Sequence, residues 1–168
     1  MTHVSHLFIS PGHNYVGHHG QPAGHHQAVA VEQVACVAGH GIRGDRYFDH
    51  CPDYKGQMTF FAMEAIEALA RELNVPGVRP EWTRRNVFTR GVDLNALIGV
   101  EFDIQGVRFV GTEECRPCYW MNTAFADERV ETWLEGQGGL RARILTDGVL
   151  RCDRASLLHD EERKGRVA

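Results

Sequence analysis

The four residues Cys115-Arg116-Pro117-Cys118 are the densest concentration of reactive groups in this 168-residue chain. Their spacing admits several chemistries. As half of a zinc knuckle, C-x-x-C offers two soft ligands, and with no second C-x-x-C the histidines between His13 and His26 would have to complete the shell. As a dithiol redox pair it needs a strand-helix setting with the first cysteine opening the helix, whereas the flanking residues read as antiparallel strands. In a third reading one cysteine acts alone, as a thiolate that attacks sulfur or ligates a soft metal, with Arg116 favouring the ionised form. Two buried thiols packing as small apolar groups is the bland alternative.

Two further clusters carry guanidinium groups. Gly41-Ile42-Arg43-Gly44-Asp45-Arg46-Tyr47 places Arg43 and Arg46 beside one carboxylate, between glycines that permit unusual backbone angles, and so suits an anionic ligand; a capped turn with an Asp45–Arg46 ion pair is the competing reading. Thr83-Arg84-Arg85-Asn86 leads into a strand. Adjacent strand residues point to opposite faces, so one of Arg84 and Arg85 is expected in any pocket and the other on the surface. Guanidinium forks and the Asn86 amide match phosphate oxygens and the polar edge of a pterin-like heterocycle. Residues 11–26 form a His- and Gly-rich stretch with five histidines from His13 to His26, an exposed or ligand-organised loop in which His18, His19, His25 and His26 are candidate metal ligands.

These groups need a scaffold, and the pattern is mostly that of short strands. Val4 to Ser10 reads as a first strand, Ala28 to Ala38 as a second with a bulge where alternation breaks between Val31 and Val34, and Asn86–Thr89, Glu101–Ile104 and Val107–Thr112 as others. Gln105-Gly106 is a hairpin turn, and Leu140 to Thr146 alternates before a turn at Asp147-Gly148. Helices are expected at Met63–Leu73, where Ile66, Leu69 and Leu73 recur at helical spacing, and at Thr123–Glu135. Many short strands with few helices favour a barrel.

Bulk composition narrows the function. The length fits one domain over residues 1–168, with a charged, frayed tail at 161–168. With 18 basic and 22 acidic side chains the net charge is -4, which argues against nucleic acid or an anionic membrane as partner. Apolar runs such as Ala28–Val31 are far shorter than a membrane span, and the N-terminus lacks a signal-peptide pattern, so a cytoplasmic protein is expected. Five cysteines, Cys36, Cys51, Cys115, Cys118 and Cys152, form an odd set that reactivity or metal binding explains better than disulfides.

Taken in order, GIRGDRY, a central helix, RRNVFTRGVDLNALIGVEFDI, EECRPC and GLRARILTDGVL resemble the MOSC family, the domain at the C-terminus of molybdenum cofactor sulfurases, over about residues 27–153. The resemblance implies a mainly β fold with peripheral helices, specifically a closed antiparallel β-barrel. It also implies molybdenum cofactor (molybdopterin) binding through basic residues, with the ligating cysteine falling on Cys118 and Cys115 as a nearby thiol. Thiolate suits molybdenum held in a pterin dithiolene, and arginines suit the cofactor's phosphate. Arg43, Arg46, Arg84, Arg85 and Arg116 would then position the cofactor anion, with Asn86 and Asp45 orienting pterin groups or those arginines.

Three functions follow as expectations. The leading one is an oxidoreductase that reduces small N-hydroxylated substrates with electrons from a partner protein, since the chain has no flavin, nicotinamide or iron–sulfur fingerprint of its own. The alternative is a carrier in which Cys118 bears a persulfide or passes cofactor to an accepting enzyme without turnover. A histidine-bound transition-metal protein is the third.

Overall fold

The computed structural model describes residues 2–15 and 21–153. Its largest element is an open sheet of seven strands, and the chain enters it at β1 (His3–Ile9) with the edge strand β2 (Val29–Val31) alongside. The sheet continues through β6 (Val87–Arg90), β5 (Met58–Ala62), β9 (Leu140–Ile144) and β8 (Val107–Glu114) to β7 (Glu101–Ile104). A second sheet of three strands orders β10 (Gly148–Arg151), β3 (Gln33–Val37) and β4 (Gly41–Ile42).

The expected closed antiparallel barrel is not what forms. Among the described residues the seven-stranded sheet stays open, with β2 and β7 at opposite edges, and β5 and β6 run parallel. The reason lies in how each face is covered. One face packs on the small sheet, joining Leu7, Met58, Phe60, Phe109 and Leu140 to Val34, Ile42 and Leu150 in one buried cluster. The other face is covered by helices: Phe8, Phe61 and Phe88 meet Ile66 and Leu69 of α1 (Met63–Glu72), Met121 and Phe125 of α2 (Tyr119–Phe125), and Val130 of α3 (Val130–Trp133). Both faces are buried without closure, as in other layered folds. The helix α1 is the crossover that parallel neighbours require.

Two sequence expectations are revised by the same geometry. The break between Val31 and Val34 is a change of sheet rather than a bulge: β2 pairs with β1 and, one residue later, β3 pairs with β10 and β4. The helix expected over Thr123–Glu135 is two short helices, because Ala126 takes a left-handed conformation (φ 53°) and the Asn122 side chain accepts the Glu131 amide at 2.7 Å. Local side-chain bonds of this kind compete with a continuous helix. No helix among the described residues is long and apolar enough to cross a membrane.

Candidate functional site

The helical face of the large sheet ends in a cavity of about 230 Å³, floored by Thr59 of β5 and Arg141 of β9, which are register partners. Strand alternation explains this placement. Leu140 and Ala142 turn into the sheet–sheet core while Arg141 between them turns towards the helices. The volume lies below the roughly 300–1,000 Å³ of sites that enclose whole small molecules, so a larger ligand would insert one end.

Cys118 and Cys115 both line this cavity, in different settings. Cys118 is exposed and stands at the start of α2, extended at φ -143° and ψ 166°, its carbonyl accepting the Met121 amide. Cys115 is buried just after β8; its amide donates to the Gly139 carbonyl at 2.7 Å, and its thiol faces the Arg141 guanidinium, whose charge it favours. The helix opens after the second cysteine, so the setting of a dithiol redox pair is not reproduced. Gly138 fixes the loop from behind: a Cβ there would lie 2.6 Å from the Cys115 carbonyl and 2.7 Å from Pro117 Cδ.

Five arginines line the cavity, Arg46, Arg84, Arg85, Arg116 and Arg141, and no carboxylate lines it among the described residues, although Asp45 and Glu113 approach Arg46 and Arg141 from behind at 3.8 and 3.5 Å. Arg85 is spent on the protein. Its guanidinium donates to the carbonyls of Cys115 (2.7 Å), Thr83 (3.0 Å) and Gly138 (3.1 Å), with a longer contact to Arg116 at 3.4 Å. Arg84 is not in a strand, as the sequence reading had it. It occupies a left-handed position (φ 56°) after the 3-10 turn Pro80–Thr83, which lets both arginines reach the cavity.

Arg84 donates to the carbonyls of His26 (2.7 Å) and Gly12 (3.0 Å), tying together the two ends of the His-rich segment. Burial, and then the neighbouring Arg46 cation, lower its pKa to about 10. Arg46 lies 4.6 Å over the Tyr47 ring, and its Nη1 is shut away from solvent with no hydrogen-bond partner, 3.8 Å from Asp45. At Arg141 burial opposes the charge, but Cys115, Tyr54 and Glu113 outweigh it and raise the pKa.

The remaining candidates divide. Asp45 and Asn86 are buried braces outside the cavity lining: Asn86 accepts from the Thr59 amide and hydroxyl and donates to Phe8 and Asp45, and Asp45 also accepts the amides of Ser10 and Tyr47. Arg43 is exposed, 5.6 Å over Phe48, and does not line the cavity. His25 and His26 are exposed, and a Cβ on Gly12 would lie 2.6 Å from the His26 ring; His18 and His19 fall outside the described residues. Among the described residues no group of three or more His, Cys, Asp or Glu is placed to hold a metal ion.

Sequence reasoning missed Arg141, Tyr15, Tyr47, Tyr54, Trp82 and Trp120, all of which line the cavity. For Arg141 a signal existed in the alternation of β9. The aromatic residues come from one loop (Tyr47, Tyr54), the N-terminal segment (Tyr15), the 3-10 turn (Trp82) and α2 (Trp120), and no local pattern joins them.

The match to known proteins agrees with this architecture. The MOSC domain family model matches residues 18–155, and the chain belongs to that family. No curated protein sequence matches it. Among solved structures, the YuaD protein of Bacillus subtilis superposes with a TM-score of 0.65 at 18% identity, over 90% of this chain and 92% of that one. YiiM of Escherichia coli gives 0.60 at 18% identity, over 86% and 66%. YiiM of Geobacillus stearothermophilus gives 0.64 at 10% identity, over 90% and 71%.

Proposed function

We propose that this MOSC protein binds molybdenum cofactor in the arginine-lined cavity and, with electrons from a partner redox protein, reduces small N-hydroxylated compounds. The observation that carries the reading is a cavity wall of five arginines and no carboxylate beside an exposed thiol. Arg46 Nη1 is buried without a hydrogen-bond partner, burial and the Arg46 cation disfavour the charge on Arg84, and Cys118 opens onto the same space. An anion that also offers a soft metal fits this donor set.

Cys118 would ligate the molybdenum and Arg46, Arg84 and Arg116 would hold the anionic end. Arg85 and Asn86 would act from behind by fixing the loops. When bound, the cofactor supplies a two-electron redox couple; the chain's own residues orient it, exclude water from its inner side and hold the charge of its anion.

The test is molybdenum and pterin content of protein from a cofactor-producing host, wild type against Cys118→Ser. Stoichiometric molybdenum that disappears in the variant is the expected result. Molybdenum absent from both, with a mass increase of one sulfur atom on Cys118, would replace this reading by a persulfide carrier.

A further inference from the structure

Reduction of an N–O bond consumes two electrons and two protons. In R–NH–OH the N–O bond breaks, one proton joins the departing oxygen to give water, and the other joins nitrogen to give R–NH2. The electrons come from the partner redox protein or, in an assay, from reduced methyl viologen. The proton for the oxygen needs an acid in the cavity, and no carboxylate lines it among the described residues. That leaves phenols, one imidazole and a thiol.

We propose that Tyr47 donates the proton to the departing oxygen and that Tyr54 is the residue that positions its phenol; the inference rests on the reductase reading above.

Tyr47 sits where the cavity's titratable groups converge. Its ring is stacked 5.2 Å from Tyr54, edge-on to His13 and His50 at 5.3 Å each, and beneath the Arg46 guanidinium at 4.6 Å. Asp45 pins its amide at 3.1 Å. Stacking on Tyr54 from one side and the Arg46 guanidinium over the ring hold the Tyr47 phenol in one orientation within the cavity. The cation over the ring stabilises negative charge that develops as the proton leaves.

Tyr54 faces Tyr47, His50, Arg141 and Cys115. Burial first and Tyr47 second push its pKa up to about 12, which keeps it neutral against the Tyr47 ring at neutral pH. Gly56 holds it in place, since a Cβ there would lie 3.2 Å from Tyr54 Cε1 and 3.3 Å from its oxygen. His50 is exposed and its ring lies 4.6 Å from that of Tyr54, which gives the pair a path for reprotonation from solvent.

Wild type, Tyr47→Phe, Tyr54→Phe and Gly56→Ala are loaded with cofactor in the same host, and phenylhydroxylamine reduction by methyl viologen is followed from pH 6 to 11. All should carry wild-type molybdenum. Tyr47→Phe should lose roughly 100-fold or more in kcat with KM little changed, together with the wild-type fall in kcat at high pH. Tyr54→Phe and Gly56→Ala should lose less and shift that fall.

A second readout needs no cofactor. Ultraviolet titration should find one tyrosine near 12 that vanishes in Tyr54→Phe and moves down in Tyr47→Phe. A Tyr47→Phe enzyme with wild-type kcat and pH profile overturns the inference and leaves the reductase reading standing. An unmoved titration in Tyr47→Phe also overturns it. Molybdenum-loaded wild type that reduces no phenylhydroxylamine overturns both.

Discussion

Replacing Arg85 with methionine separates a structural guanidinium from a ligand-binding one. The arginine is 9% exposed and makes three bonds of 3.1 Å or less to carbonyls of the Thr83, Cys115 and Gly138 segments. A hydrogen bond from a charged donor contributes about 1.5–3 kcal/mol, and carbonyls left unpaired in a buried site cost their desolvation as well. Methionine keeps the apolar stem and recovers part of the loss.

The expected cost is about 3–5 kcal/mol, three charge-assisted bonds less what the methionine stem recovers. For a chain of this size that lowers Tm by roughly 6–20 °C. Arg85→Lys should lose about half as much, since an ammonium cannot span three diverging carbonyls. Urea denaturation followed by circular dichroism, on cofactor-free protein in phosphate-free buffer, measures this. An Arg85→Met protein within about 1 kcal/mol of wild type would refute the reasoning and return Arg85 to the role of ligand.

The other predictions use the same contrast. Asn86→Ala, which removes the side-chain bonds to Thr59, Phe8 and Asp45, should destabilise by about 2–3 kcal/mol, while Arg43→Ala, exposed and outside the cavity, should change stability by under about 0.5 kcal/mol and leave cofactor content intact. Gly138→Ala, forced against the Cys115 carbonyl and Pro117, should cost about 1–3 kcal/mol and alter the alkylation rate of Cys118 by iodoacetamide.

Burial, and then Tyr47, push the Tyr54 phenol up to about 12, above the usual phenol value of about 10. Its contribution to stability is therefore complete below pH 10 and is lost as pH rises through 12. Arg84, lowered to about 10, acts in the opposite direction in that range, so the wild-type minus Tyr54→Phe difference in denaturation midpoint is the quantity to follow, and it should shrink from pH 10 to 12.

Local pattern located most elements of this fold, and failed where long-range contacts decide. Val29–Val31 and Gln33–Val37 read as one strand because their β-branched texture is continuous; only pairing with β1 on one side and β10 on the other divides them. Parallel pairing of β5 with β6 was invisible because Met58–Ala62, almost wholly buried and without alternation, is not read as a strand ahead of the helix. In the site, the guanidinium motifs were legible as charge but not as roles. Arg85 lines the cavity yet bonds three backbone carbonyls, Asn86 bonds neighbours outside the lining, and Arg84 escapes strand alternation through its left-handed backbone, which residue type does not announce.

The open sheet leaves two rims of main-chain donors and acceptors, the feature through which folded chains template one another into aggregates. Each rim is blunted differently. β2 is three residues long, too short to register a foreign strand, whereas β7 carries Glu101 and Asp103 outward, with Arg108 paired to Glu101 across the adjacent strand. Because brevity guards one rim and charge the other, high salt would weaken only the second, and self-association under such conditions would begin at β7.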